Sequence, residues 1–188
     1  MSTVVEHGNI NAKKNNISTI FEKFWFVIPE YQRSYVWDTD NINDLLDDLW
    51  YAFENKNENE YFLGSLVLRD LNNSDFKEYE VLDGQQRLTT LFMLISVIRD
   101  KSNNPDLLNT FSEMLFQKKN IFKGIPERVR IIYKIRDSVE SFINEFVIKE
   151  NGTTQIERLT ERLKEDNVSI KNMSNAIMTM HDFFKEKA

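Results

Sequence analysis

Apolar positions along the chain change period several times, and each change marks an element. Residues 23–29, Lys-Phe-Trp-Phe-Val-Ile-Pro, form a short aromatic and β-branched run closed by proline, which predicts a strand entering an extended segment. Asp38 or Thr39 then caps a predicted helix in which Ile42, Leu45, Leu46, Leu49 and Phe53 recur at three- and four-residue steps, turning Asp44, Asp47 and Asp48 outward. Tyr61 to Arg69 and Phe76 to Leu82 are β-prone runs, and Asp70-Leu-Asn-Asn-Ser-Asp75 between them is turn chemistry, so the two are expected to pair as an antiparallel hairpin. In Leu88 to Ile98 eight of eleven residues are apolar with no polar face, so a helix there belongs in the middle of the fold. From Pro105 onward the pattern predicts helices over 105–117, 126–149, 153–166 and 170–186. In the longest, Val129, Ile132, Ile135, Val139, Phe142 and Phe146 trace one stripe. Gly8 to Asn16 and Glu54 to Glu60 are polar enough for loops or frayed ends. The expected fold is α+β. Residues 1–101 form a head with a short mixed or antiparallel sheet and a central buried helix, and residues 102–188 form a helical extension packed on it.

Composition narrows the chemistry. A chain of 188 residues with 41% hydrophobic and 29% charged positions can bury a single core and is neither disordered nor fibrous. The absence of cysteine excludes thiol catalysis, Cys-ligated zinc and iron–sulfur clusters. His7 and His181 lie near opposite ends, which argues against a multi-histidine metal site. No apolar run, Leu91 to Ile95 included, exceeds five residues, far short of the ~20 that span a bilayer, and the amino terminus lacks a signal pattern, so a cytoplasmic protein without membrane contact is expected.

The net charge of −6 conceals a segregation. Residues 38–60 hold eight acids and one base, whereas 117–136 hold Lys118, Lys119, Lys123, Arg128, Arg130, Lys134 and Arg136 against Glu127 alone. Two solvated helix faces are the plain reading. The sharper one is a patch for DNA phosphates or for domain docking.

The most informative residues are Asp83-Gly84-Gln85-Gln86-Arg87, where a predicted strand meets the predicted buried helix. Such a junction gathers unpaired backbone N–H groups at the positive end of a helix dipole, which suits an anion. Gly84 lets a phosphate approach the backbone, and Arg87 can fork onto its oxygens. The alternative is a capping box from Asp83 to Gln86. A second Gln-Arg pair stands in Ile28-Pro29-Glu30-Tyr31-Gln32-Arg33-Ser34-Tyr35-Val36-Trp37. If extended, that stretch places Tyr31, Arg33, Tyr35 and Trp37 on one face and Gln32 on the other. Aromatics alternating with arginine can stack a base and hold a phosphate, while Tyr35 and Trp37 as core anchors and Arg33 paired to a carboxylate such as Asp83 form the competing reading.

Taken together, Ile-Pro-Glu-Tyr-Gln-Arg-Ser-Tyr-Val-Trp (28–37), Tyr-Phe-Leu-Gly-Ser-Leu-Val-Leu (61–68) and Val-Leu-Asp-Gly-Gln-Gln-Arg-Leu-Thr-Thr-Leu (81–91) resemble the N-terminal domain of GmrSD-type restriction endonucleases, itself similar to the ParB/sulfiredoxin-like superfamily. The resemblance is close over about residues 15–100. It implies a nucleotide-binding and nucleotide-hydrolysing control module of a modification-dependent, type IV-like restriction and anti-phage defence system. It carries the nucleotide motif onto Asp83, Gly84, Gln85, Gln86 and Arg87, with Tyr31, Gln32 and Arg33 as partners across the pocket. Family members continue into a second domain with a His-Asn-His nuclease site. None is visible here, so a chain truncated before that domain or a stand-alone regulator is expected, without nuclease activity of its own, and DNA is engaged through the full-length protein or a partner nuclease domain.

The chain has no P-loop and no Gly-x-Gly-x-x-Gly, so a helix N-terminus and arginines would hold the nucleoside triphosphate. Asp83 beside a triphosphate is repulsive unless Mg²⁺ bridges the two or Asp83 orients the attacking water, which with Arg87 would make it catalytic. Its other role would be to cap the helix and fix Arg87. Two rival readings are a non-catalytic DNA-recognition or protein-interaction module using 117–136, and a complete small nuclease. The absence of a compact carboxylate cluster beside a lysine counts against the nuclease.

Overall fold

The computed structural model describes residues 11–55, 61–71, 77–134 and 137–187. His7, Ile135, Arg136 and the turn residues 72–75 lie outside them. The fold is α+β, with a small mixed sheet and a helical carboxyl-terminal region, as the sequence predicts.

A first helix, α1 (Ile17–Lys23), was not anticipated. Asn16 starts it by accepting from the Thr19 N–H at 2.8 Å. Strand β1 (Trp25–Ile28) follows and is buried at all four positions. The acidic helix α2 (Thr39–Asn55) has Asp38 accepting from the Asn41 N–H, buries Ile42, Leu45 and Leu46, and leaves Asp44, Asp47 and Asp48 exposed. Phe53, expected in its apolar stripe, is 63% exposed.

Only Val67–Asp70 of the first β-prone run becomes strand β2, because Gly64 at φ +107° breaks the extended backbone ahead of it. It pairs antiparallel with β3 (Glu78–Asp83). Helix α3 (Gln85–Lys101) begins two residues after that strand ends and has 13 of 17 residues buried, Leu91 and Ile95 among them. A helix with no solvent face can sit only at the centre.

The chain departs most from expectation between Leu115 and Asp137. Helix α4 (Pro105–Leu115) ends in a short ribbon of β4 (Phe116–Gln117) and β5 (Arg128–Val129), and Ile131–Tyr133 forms β6. The helix predicted over 126–149 is therefore confined to its second half, α5 (Asp137–Phe142), which continues as a π-helical turn over Ile143–Ile148. The β-branched and aromatic residues at 129–133 fit a pleated surface, and the free edge of β1 supplies a partner that helical periodicity cannot show. Val139, Phe142 and Phe146 of the expected stripe are buried, whereas Val129 and Ile132 are half-buried in sheet. Helices α6 (Ile156–Arg162) and α7 (Val168–Glu186) complete the fold, and α7 packs on α2, α3 and α6.

The sheet order is β2-β3-β1-β6, with β1 parallel to both β3 and β6. The carboxyl ends of these three strands therefore share one edge, so that Pro29–Trp37, Gly84 and Lys134 all leave the sheet there. That edge is where open parallel sheets bind ligands. The β4–β5 ribbon lies at the other edge, since Arg130 immediately precedes β6 and its carbonyl accepts from the Phe26 N–H at 2.8 Å.

Candidate functional site

The two Gln-Arg dipeptides meet at the carboxyl edge of the sheet, and the glutamines hold them together. Gln32 Nε2 donates to the Leu82 carbonyl at 2.8 Å and the Val81 carbonyl at 3.3 Å. In return Gln85 Nε2 donates to the Arg33 carbonyl at 2.8 Å. Gln86 donates through Nε2 to the Ser34 carbonyl at 2.9 Å and accepts through Oε1 from the Val36 N–H at 2.8 Å. Each segment's amides thus satisfy the other's backbone. Helix α7 clamps the same strap from the far side. Ser169 Oγ accepts from the Tyr35 N–H at 3.0 Å, and Asn172 Nδ2 donates to the Tyr35 carbonyl at 3.2 Å.

The strap is not evenly alternating. Gln32 N–H bonds back to the Pro29 carbonyl at 3.1 Å, and this turn puts Tyr31 and Arg33 in solvent while Tyr35 goes inward. Tyr35 is a core anchor, its hydroxyl 2.7 Å from Thr90 Oγ1, and burial raises its pKa well above the usual 10. Trp37 is half-buried against the core.

The helix entrance is not a capping box. Gly84 is the cap, at φ +87°, and contributes no side chain, while the amide of Gln86 is committed to the strap. The first intrahelical bond is Leu88 N–H to the Gly84 carbonyl at 3.0 Å, so the N–H groups of Gln85, Gln86 and Arg87 precede the ladder. A Cβ on Gly84 would come within 2.6 Å of Leu66 Cδ2 and 3.0 Å of the Ser65 carbonyl oxygen, which explains glycine there.

Arg87 is half-buried and lies against Gly64, where a Cβ would sit 2.3 Å from its Nη1 and 2.9 Å from its Cζ. Its guanidinium has no hydrogen-bond or ion-pair partner among the described residues, nor does that of Arg33. Asp83 is exposed at the strand end and pairs with neither arginine, so the reading in which Asp83 and Arg87 form a buried pair does not hold. Nearby, the Tyr61 hydroxyl bonds Asp48 of α2, which raises the Tyr61 pKa, while Arg87 pulls it the other way. Sequence reasoning missed Gly64, Tyr61 and Asp48. The signal available was a lone glycine inside a β-prone run.

The basic 117–136 segment is divided between the two sheet edges. Lys134 follows β6 at the carboxyl edge and is exposed. Arg128 and Arg130 turn inward at the other, their Cζ atoms 5.9 and 5.5 Å from the centre of the Trp25 ring. Arg128 pairs with Glu78, and Arg130 is 4% exposed. These two are structural, not a solvent-facing patch. Lys118 and Lys119 are exposed, and the Lys123 side chain lies outside what is described.

Among the described residues no three His, Asp or Glu side chains gather as metal ligands, and none of the helices is long and apolar enough to cross a membrane. A cavity of about 200 Å³ bordered by Phe142, Glu145, Arg162 and Ile170 lies in the helical region, away from the motif residues.

In this α+β domain the parallel carboxyl ends of a mixed sheet meet the amino end of a buried helix, beside two arginines that have no hydrogen-bond or ion-pair partner among the described residues. The chain belongs to the family described as GmrSD restriction endonuclease, N-terminal domain, which matches residues 10–188. That membership places it among restriction and defence proteins. No curated protein matches it.

Proposed function

We propose that this domain binds a nucleoside triphosphate at the carboxyl edge of its sheet and hydrolyses it, controlling restriction of modified DNA by a nuclease domain or partner. The supporting observation is Arg87. It is a half-buried guanidinium with no partner among the described residues, seated on Gly64 at the amino end of α3 beside exposed Asp83. A phosphate there would receive the first-turn N–H groups, the helix dipole and a planar fork. Gln85 and Gln86 take part through backbone N–H groups, since their amide nitrogens hold the strap. Arg33 and exposed Tyr31 lie on the strap bound to this junction and form the opposite wall, with Tyr31 available to stack on a base. One carboxylate suffices for Mg²⁺ when phosphates and water complete its shell, so Asp83 is the residue that would hold the ion, and the positive charge of Mg²⁺ would offset part of the triphosphate's negative charge.

A panel of the four ribonucleoside triphosphates with and without Mg²⁺, read by thermal shift and phosphate release, tests this. Binding at ~100 times the dissociation constant adds ~2.7 kcal/mol to stability. Arg87→Ala is expected to weaken binding roughly ten- to a hundredfold with little loss of stability. Asp83→Asn is expected to bind but release no phosphate. An Arg87→Ala protein that unfolds far more easily yet binds every nucleotide normally would overturn the assignment.

A further inference from the structure

Between β4 and β5 the chain makes a narrow hairpin. Asn120 and Ile125 exchange two backbone hydrogen bonds of 2.8 and 3.0 Å around a four-residue tip, Ile121-Phe122-Lys123-Gly124. Gly124 N–H closes the tip onto the Ile121 carbonyl at 3.3 Å and holds φ +65°, the left-handed conformation that glycine permits. Ile121 is 78% exposed and Phe122 wholly exposed, although Phe21, Phe26, Phe92 and Phe146 are wholly buried. Two adjacent apolar side chains on a turn tip are the reverse of what hydrophobic burial selects.

The stem below this tip is fixed to the sheet. Arg130 stacks on Trp25, donates to Gln117 Oε1 at 2.9 Å, and its N–H bonds the Leu115 carbonyl at 3.0 Å, while Arg128 pairs with Glu78. Lys118 and Lys119 project from the stem into solvent with no ion-pair partner among the described residues, and Glu127 is the one acid in 117–136. The hairpin therefore carries an apolar point on a cationic, anchored shaft. From this juxtaposition we infer that it is a probe for duplex DNA, in which Lys118 and Lys119 hold backbone phosphates while Phe122, backed by Ile121, wedges between base pairs. Cationic flanks select a polyanion. Two apolar side chains on a four-residue tip match one base step, as in proteins that unstack DNA, whereas membrane-surface anchors present the apolar face of a whole helix. The hairpin sits at the opposite sheet edge from Asp83 and Arg87, so this inference is independent of nucleotide binding.

A duplex carrying 2-aminopurine, titrated with the full chain without nucleotide at several salt concentrations, reads both parts. Binding is expected to raise the fluorescence as the probe base unstacks. Phe122→Ala should abolish the rise and weaken binding roughly tenfold. Lys118→Gln with Lys119→Gln should lower the slope of log affinity against log salt by about two. All three positions are exposed, so unchanged thermal unfolding of the variants shows that folding is not the cause. Duplex binding that is absent, or equal in Phe122→Ala and the parent with the same fluorescence, overturns the inference. So does a Phe122 effect confined to phosphatidylserine vesicles or to self-association.

Discussion

At the scale of single residues, two glycines decide whether the site exists, and they should fail differently. Gly84→Ala forces a side chain into φ +87° and against the Leu66 Cδ2 side-chain carbon and the Ser65 carbonyl oxygen, the second of which is backbone and cannot swing aside. Such conformations cost about 1–3 kcal/mol before any clash. Urea unfolding should show a loss of at least that size. Gly64→Ala at φ +107° carries similar strain, but the group in its way is the end of a flexible arginine. Arg87 can swing aside, so this variant should lose a comparable amount of stability and, in addition, nucleotide affinity by titration calorimetry. Equal affinity in Gly64→Ala and the parent would mean that the seat on Gly64 does not aim Arg87.

At the scale of elements, the glutamine clamp and the carboxyl end of α3 show what the sequence could and could not disclose. Period and composition were enough for β1, α2, β3 and α3, because each carries its own pattern in a contiguous run. The junction at Asp83 to Arg87 was legible for the same reason. The roles inside it were not: Gln85 and Gln86 looked like ligand donors, and only the arrival of the strap shows their amides satisfying Arg33, Ser34 and Val36. Likewise the run 129–133 fits a helix or a strand equally, and the open edge of β1 decides. Gln86→Ala should strand the Val36 N–H and Ser34 carbonyl and lower stability by about 1–3 kcal/mol by chemical denaturation, whereas a ligand-only glutamine would be neutral. At the other end of α3, Arg99 donates to the Ile148 and Lys149 carbonyls at 2.9 Å each, and Asp100 accepts from the Asn151 and Thr153 N–H groups. Nothing in the sequence separates this pair from surface charges, yet both side chains are 1% exposed.

At the scale of the whole molecule, α7 makes the helical region inseparable from the site. Its first turns bond the strap at Tyr35 through Ser169 and Asn172, Asn175 Nδ2 reaches Thr39 Oγ1 at 2.8 Å, and its last turns carry buried His181. Burial is the main cause holding the His181 pKa below its usual 6.5. Lys101 of α3 and Lys185 act in the same direction, while Asp100 and a hydrogen bond with the Thr153 backbone oppose. The buried Nε2 has no hydrogen-bond partner among the described residues, so a proton there gains no hydrogen bond, and the opposing contributions of Asp100 and Thr153 do not outweigh its desolvation. The folded chain therefore refuses a proton that the unfolded chain accepts. Above about pH 6.5 neither state binds it and the group contributes no pH dependence; as pH falls below 6.5 the unfolded state is favoured progressively until the folded pKa is passed. His181→Gln removes this titration. The stability difference between parent and variant, measured by urea unfolding from pH 8 to pH 5, should be constant above about 6.5 and move against the parent below it. His7 is common to both proteins and cancels. A difference that stays constant throughout would show that His181 is not held neutral by its surroundings. Because α7 anchors the strap, the same acid loosening should be reported by Tyr35 and Trp37 fluorescence as one transition with the helical signal.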